Sequence, residues 1–407
     1  MKSDPHAIDE LVRRSVDVIY PSERALRDLL GSGKKLRVYT GIDPTAPHLH
    51  LGHSTNIFLL ERFRRLGHKA IVLIGDFTAQ LGDPSDKSSA RPQLTHTAVK
   101  ENFASFRDQI GKMLDRGNEE NPIEFRFNSE WLSGLDFAKV SELASFFTVQ
   151  QMIERDVFRR RLADQKPLYI NEFLYPLLQG YDSVSLSADI EIGGRDQTFN
   201  MLAGRTLVKE YQNREKIVLT TRLLEHPKTG EKLMSKSKGT GVSGADLPDL
   251  LYGTIMALPD ELLPQLFEDC TNVSRDEVAD FTSELKKSND YFSGKQRLAT
   301  TVVALYHGHD AARKAREHFI ETFSKRKIPA DAPEIFASFG SPLGDTLVLA
   351  GALSSNAVWG RLVSEGAIEI REQGAGELSR LSDRKYKIET PLVIRVGKKK
   401  FFRINLK

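Results

Sequence analysis

Three histidines crowd into six residues of the segment GIDPTAPHLHLGH, residues 41–53: His48, His50 and His53. One chemistry open to such a cluster is metal binding. Zinc, however, would want a third or fourth ligand, typically from an H-E-x-x-H helix or a cysteine cluster, and the neighbouring sequence holds neither. A second reading is plain structural histidine. A third is an anion-binding turn, because the segment lies between an expected strand and an expected helix, where free backbone N–H groups and the helix dipole favour phosphate. His50 and His53, three apart, add donors on one side of the first turn. Thr45 adds a hydroxyl, and Gly52 leaves room for a flat ligand such as an adenine to approach the backbone. No G-x-G-x-x-G is present and GDPSDKSS is not a Walker loop, so a nucleotide here is held in another way.

A second group is EKLMSKSKG, residues 231–239, which places Lys232, Lys236 and Lys238 in a short polar loop ended by glycine. Alone, such a run is a solvated surface loop. Alongside an H-x-G-H turn in the same domain, it suits charge developing on a triphosphate. A third group is Tyr175, Gln179 and Asp182, spaced to share one face of a mostly apolar helix. Buried polar groups need partners. They satisfy one another and nearby backbone, or a ligand supplies what is missing.

The elements that must position these groups read as follows. LRVYTGI (36–42) is a strand, STNIFLLERFRRLGH (54–68) a helix stopped at Gly67, and KAIVLIGD (69–76) a strand buried on both faces. IEFRFN (123–128), VSLSADIEIGG (184–194) and KIVLT (216–220) are further strand candidates. The pattern predicts an open, mostly parallel α/β domain, which binds ligands at the C-terminal ends of its strands. After about residue 247 the segments turn into amphipathic helices. Residues 326–342 carry three prolines and read as a linker, and the tail reads as two helices and several short strands.

Composition narrows the class. At 407 residues, two or three domains are expected. Hydrophobic residues at 40% and charged residues at 28% describe a soluble globular chain, and no apolar run approaches membrane-spanning length. The polar start MKSDPHAIDELVRR has no apolar signal region. The single cysteine, Cys270, excludes an intrachain disulfide and a cysteine-built metal cage. These features point to the cytoplasm and to no membrane partner. The net charge of +3 is uneven: residues 343–407 carry 12 Lys and Arg against 7 Asp and Glu, and residues 391–407 hold six basic residues and no acid. Such a tail is either a solubilising end or a polyanion-binding module.

HLGH at 50–53 resembles the HIGH signature, and MSKS at 234–237 most of KMSKS, the two marks of class I aminoacyl-tRNA synthetases. YTGIDPTAPHLHLGH, GDPSDKSSAR (82–91), YPLLQGYDS (175–183) and IGGRDQTFN (192–200) narrow the resemblance to the bacterial-type tyrosyl-tRNA synthetases, and the tail resembles the S4-like RNA-binding module that ends that family. The resemblance implies a Rossmann-like parallel-sheet catalytic domain over 1–246, with a dimer-forming insertion at 127–170 and a KMSKS-type loop at 226–244. A small all-α anticodon-binding domain (247–325), the linker (326–342) and an α+β S4-like domain (343–407) would follow.

It also implies a tyrosine–tRNA ligase acting as a homodimer on L-tyrosine, ATP with Mg2+, and tRNA(Tyr), with no structural metal. Tyr39 and Asp182 would meet the substrate phenol as donor and acceptor. Asp83, Tyr175 and Gln179 would take the α-ammonium group, and Gln197 the amino-acid side of the reaction centre. Gly194 and Asp196 would hold the ribose. Thr45 and His50 would hold the γ-phosphate, and His53 and Gly52 the nucleoside, with Gly41 and Asp43 beside it. Lys87, Arg91, Lys236 and Lys232 would close over the pyrophosphate. Three features depart from the pattern. Leu51 is the second residue of HIGH. Leu233 falls where KMSKS begins with lysine, Lys232 being displaced by one. Arg195 stands where a small Ser or Thr is expected, and reads as a surface arginine or an extra phosphate contact. Competing readings are the tryptophan enzyme, a catalytically silent RNA-binding relative and a smaller adenylyltransferase.

Overall fold

Six strands build the sheet that carries the histidine turn: β1 Val16–Tyr20, β2 Arg37–Ile42, β3 Lys69–Ile74, β4 Glu124–Phe127, β5 Ile190–Gly194 and β6 Ile217–Thr221. Their spatial order is β1-β6-β5-β2-β3-β4, parallel throughout except for β1, which pairs antiparallel with β6. From β2 the chain steps outward to β3 and β4, then returns to the other side of β2 for β5. The order therefore reverses between β2 and β5, and their C-terminal ends open a crevice there. The computed structural model describes residues 5–86, 94–114, 120–226, 228–229, 233, 242–324, 332–372, 378–397 and 400–407. The chain divides into two compact units, Met1–Arg313 and Lys314–Lys407.

The apolar run of β3 is buried from Ala70 to Ile74, as expected of an inner parallel strand. Helix α1, Leu51–Arg65, makes the crossover from β2 to β3 and buries Ile57, Phe58, Leu59, Leu60 and Phe63. It starts three residues before the apolar spacing predicts, so His53 lies inside its first turn and His50 caps it in an extended conformation. Helices α2, Ile170–Ser185, and α3, Thr198–Gln212, pack closely at two glycines. A Cβ on Gly180 would lie 3.0 Å from the backbone nitrogen of Gly204.

Two expectations for this sheet needed correction. The segment 184–194 is strand only from Ile190; its first two residues end α2, and Ser187 turns the chain with a φ of +46°. Asp189 completes that turn by accepting the backbone N–H of Arg37 at 2.9 Å. Strand β1 was not foreseen, because a five-residue half-exposed edge strand leaves little hydrophobic pattern.

The change of character near residue 247 is real, yet it is not a boundary between compact units. Helices Pro248–Met256, Leu263–Cys270, Arg275–Ser288 and Tyr291–His307 fold within the first unit. Arg14 donates to the carbonyls of Glu268 and Thr271 at 3.1 and 3.0 Å, and Arg222 pairs with Asp269 at 2.8 Å. The second unit holds a five-stranded sheet of order β7-β11-β10-β8-β9, from β7 Glu334–Ala337, β8 Ile368–Glu372, β9 Ser379–Arg380, β10 Leu392–Val396 and β11 Lys400–Leu406. Trp359, Leu343 and Leu347 of its two helices pack on Ile368, Ile394 and Ile404 of that sheet. The segment read as a linker thus contains a strand, parallel to β11, whose short E-I-F-A pattern is obscured by flanking prolines.

Candidate active site

A cavity of about 750 Å³ opens in the first unit at the C-terminal ends of β2 and β5. It is lined by Tyr39, Gly41, Asp43, Thr45, His50, Gly52, His53, Asp83, Tyr175, Gln179, Asp182, Gly194, Asp196 and Gln197, all expected from sequence. Lys87, Arg91, Lys232 and Lys236 fall outside the described residues. His48 is exposed and is not among the lining residues. Among the described residues, no cluster of three or more His, Cys, Asp or Glu could hold a metal ion.

The closed end is built from buried polar groups that already hold one another. Asp182 accepts Trp131 Nε1 at 2.8 Å on one oxygen and Asn128 Nδ2 at 3.3 Å on the other. Burial pushes its carboxyl well above the ordinary value, against the opposing pull of those two hydrogen bonds. Tyr39 is 1% exposed, with its hydroxyl 2.7 Å from Ser183 Oγ. Burial, then the Glu191 and Asp182 carboxylates, holds its phenol well above the ordinary range, so it is a neutral hydroxyl at neutral pH. A hydroxyl and a carboxylate facing one cavity supply the two partners a phenol needs.

Farther out, Tyr175 Oη donates to Asp43 Oδ2 at 2.9 Å, and Thr78 Oγ1 donates to Asp43 Oδ1 at 2.8 Å. Gly75 makes this arrangement possible, because a Cβ there would fall 1.9 Å from Asp43 Oδ1. Gln197 Nε2 donates to Asp83 Oδ2 at 2.6 Å, while Ser85 holds the other oxygen through its backbone N–H and its hydroxyl. Gln179 Nε2 reaches Glu191 at 3.3 Å, and its Oε1 is buried without a hydrogen-bond partner. An unpartnered buried acceptor in the cavity that Asp83 and Tyr175 also line suits a ligand ammonium group.

At the other end, His53 Nδ1 accepts the backbone N–H of His50 at 3.2 Å, so the neutral ring carries its proton on Nε2. The two imidazoles lie 3.8 Å apart, centroid to centroid. The turn before them is tied down by Gln109, which accepts from Leu49 N at 2.8 Å and donates to the Pro47 carbonyl at 2.9 Å. The residues that follow the lysine segment are stitched to the same turn: Leu51 N donates to Val242 O at 2.9 Å and Ser243 Oγ to Leu49 O at 3.0 Å. At its other end, Leu223 and Leu224 line the cavity. Arg195 points elsewhere; it is exposed, 3.5 Å from Asp17, and absent from the lining.

Sequence reasoning missed Thr78, Asn128, Trp131, Ser183 and Glu191. Thr78, Asn128 and Trp131 come from short segments after β3 and β4, with no periodicity to mark them. Ser183 and Glu191 had a signal, as polar residues inside an apolar helix and an apolar strand.

The family described as tRNA synthetases class I (W and Y) matches residues 32–324. Over 398 residues the chain is 41% identical to a tyrosine–tRNA ligase of Thermotoga maritima, covering 97% of this chain and 96% of that one. It is 38% identical over 406 residues to a tyrosine–tRNA ligase of Carboxydothermus hydrogenoformans, with 97% of each covered. The fold is shared with a C-terminally truncated mitochondrial tyrosyl-tRNA synthetase of Aspergillus nidulans, at a TM-score of 0.65 and 22% identity, over 78% of this chain and 94% of that one. With matches of this extent laid over a cavity at the class I switch point, the chain belongs to the tyrosine–tRNA ligases of the class I tRNA synthetase family.

Proposed function

We propose that this enzyme activates L-tyrosine with ATP and passes the tyrosyl group to the 3′-terminal adenosine of tRNA(Tyr). The observation that supports this most is the pairing of Tyr39 with Asp182 at the closed end of a cavity whose other end holds His50 and His53. The tyrosine phenol donates to Asp182 and accepts from Tyr39. Its ammonium group lies among Asp83, Tyr175 and Gln179, where a carboxylate balances a charge that is costly to bury alone. Gln197 borders the reacting carboxylate.

That carboxylate is ionised at neutral pH and attacks the α-phosphate without a general base. The new O–P bond forms as the bond to pyrophosphate breaks. Catalysis then rests on alignment and on stabilising charge at the leaving group. Thr45 and His50 hold the γ-phosphate end, His53, Gly52, Gly41 and Asp43 the nucleoside, and Gly194 and Asp196 the ribose. Lys87, Arg91, Lys236 and Lys232 are assigned to the pyrophosphate. Magnesium enters with ATP, held by phosphate oxygens and water. A ribose hydroxyl of the tRNA then displaces AMP from the adenylate.

Residues 127–170 carry exposed apolar side chains, Phe137 at 87% and Val149 at 65%, and Ile170 at the end of that stretch is 82% exposed. A second copy of the chain covers this surface in the proposed homodimer. The helices after residue 247 read the anticodon arm, and the basic 343–407 module, S4-like, adds backbone affinity for tRNA. No helix among the described residues is long and apolar enough to cross a membrane, and we place the enzyme in the cytoplasm.

Pyrophosphate exchange into ATP, run with tyrosine, tryptophan and phenylalanine separately, tests the assignment. Exchange with tyrosine alone is expected. Exchange with tryptophan instead would sink it, and no exchange with any of the three would favour a silent RNA-binding relative.

A further inference from the structure

Behind the closed end of the cavity runs a buried polar chain that the proposed contacts do not use. Lys216, immediately before β6, donates from Nζ to Ser183 Oγ at 2.7 Å and to Glu191 Oε2. Ser183 Oγ in turn lies 2.7 Å from Tyr39 Oη and 3.3 Å from Glu191 Oε2. Lys216 and Ser183 are entirely buried, and Glu191 nearly so. Gly204 of α3 leaves the room they need: a Cβ there would fall 2.6 Å from the Lys216 ammonium and 2.7 Å from Ser183 Oγ.

The separation of Tyr39 and Ser183 is compatible with either hydroxyl as donor. The distances around Ser183 favour it as the donor. An ammonium group only donates, so Ser183 accepts from Lys216 and has a single proton of its own to place. Glu191 Oε2 is its longer partner and already receives the ammonium; Tyr39 Oη is the shorter one. With a lone pair engaged by Ser183, the Tyr39 proton has two directions left, toward the neighbouring Glu191 carboxylate, which the Lys216 ammonium already engages, and into the cavity.

We infer that Lys216, acting through Ser183, fixes the Tyr39 hydroxyl as a hydrogen-bond donor toward the ligand, so that Tyr39 and Asp182 form a matched donor and acceptor for a phenol. This rests on the reading of Tyr39 and Asp182 as the phenol contacts. Without the fixed direction, Tyr39 could donate backward to Ser183 and present a lone pair. A phenol with one proton would then face two acceptors. Lys216 and Ser183 are positioning residues, and Glu191 balances the ammonium so that it can be buried.

The test is tyrosine-dependent pyrophosphate exchange on the full-length chain carrying Ser183→Ala, Ser183→Thr, Tyr39→Phe, and Ser183→Ala combined with Tyr39→Phe. Ser183→Ala is expected to raise the tyrosine KM roughly tenfold, the scale of one directed hydrogen bond, with kcat and the ATP KM within about twofold. Ser183→Thr keeps the hydroxyl and should restore most of the loss. The double variant should be no worse than Tyr39→Phe alone, because Ser183 acts only through the hydroxyl that Tyr39→Phe removes.

Additive losses in the double variant, or a Tyr39→Phe loss without a Ser183→Ala loss, would overturn the inference and leave the phenol contacts standing. An unchanged KM in Tyr39→Phe would overturn the contact reading and the inference together. Lys216→Met combined with Glu191→Gln removes the ammonium and its counter-charge at once. The same KM rise is expected there, and an unchanged KM would remove Lys216 from the chain. The Ser183 and Tyr39 variants decide the matter whether or not that buried replacement folds.

Discussion

The two ends of the cavity are made differently. At the proposed tyrosine end, Tyr39, Ser183 and Glu191 form one hydrogen-bonded group and Asp182, Asn128 and Trp131 another, and most of these residues are buried. At the proposed nucleotide end, the turn carrying His50 and His53 lines the cavity, with Val242 and Ser243 hydrogen-bonded to that turn and Leu223 and Leu224 also in the lining. Under the proposed function, the first arrangement recognises tyrosine through side chains held in place by their neighbours. On the same reading, the second stabilises charge that develops on the leaving group as the reaction proceeds. Substitutions at the first should therefore act on tyrosine KM and on stability, and substitutions at the second on kcat.

The largest effect should come from Asp182→Asn. Losing the carboxyl acceptor for a buried phenol should lower kcat/KM for tyrosine by about 2–4 kcal/mol, or roughly 30- to 1000-fold, read in the exchange assay. The same substitution has a stability signature. The folded-state pKa of Asp182 lies above its unfolded value because of burial. The folded protein therefore binds the extra proton, and its stability falls as pH rises from the ordinary carboxylate range through the raised pKa. Asparagine does not titrate. The melting temperature of Asp182→Asn relative to the parent should thus increase as pH is raised from 5 to 8. A difference that stays flat or narrows would mean that the carboxyl is not held in an unfavourable environment.

This contrast also explains what the sequence made legible. The histidine turn and the Tyr175–Gln179–Asp182 face were readable because local spacing alone puts those side chains together, by one helical turn or by strand-to-helix geometry. The buried continuous run of β3 announced a parallel sheet for the same reason. Trp131, Asn128 and Thr78 were not readable, since they reach Asp182 and Asp43 from one-turn helices some fifty and thirty-five residues away along the chain. Lys216 was read only as the first residue of a strand. Its burial against Glu191 depends on the absence of a side chain at Gly204, a tertiary fact. Strand β1 was lost to its short, half-polar edge pattern, and the strand within 326–342 to its prolines.

At the nucleotide end, His50→Ala and Lys236→Ala should each lower kcat for exchange by roughly 10- to 100-fold, the range typical of one lost charge-stabilising contact. Equilibrium binding of tyrosine, followed by intrinsic fluorescence or calorimetry, should stay within about twofold. Collapse of tyrosine affinity in either variant would erase the division between the two ends. For His50 there is a specific route to such a failure, because its backbone N–H positions His53 and its turn borders β2, which carries Tyr39. His50→Ala leaves that backbone donor in place, so the substitution removes only the imidazole and isolates its proposed part in catalysis.

Arg195→Ser should have the smallest effect, and it probes whether the border between the ends is drawn correctly. Arg195 follows directly on β5, next to Gly194 and Asp196, which face the cavity. Its chain position alone would permit a phosphate contact. The side chain instead turns outward, 69% exposed, toward Asp17 at 3.5 Å. An exposed pair of that length is worth at most a few tenths of a kcal/mol. Replacement by serine should leave the ATP KM, the tyrosine KM and kcat within about twofold and shift stability by no more than about 0.5 kcal/mol. A several-fold rise in ATP KM with kcat unchanged would show that Arg195 swings inward to bind nucleotide. The nucleotide end would then include an arginine just after β5 as well as the histidine turn and the lysine segment.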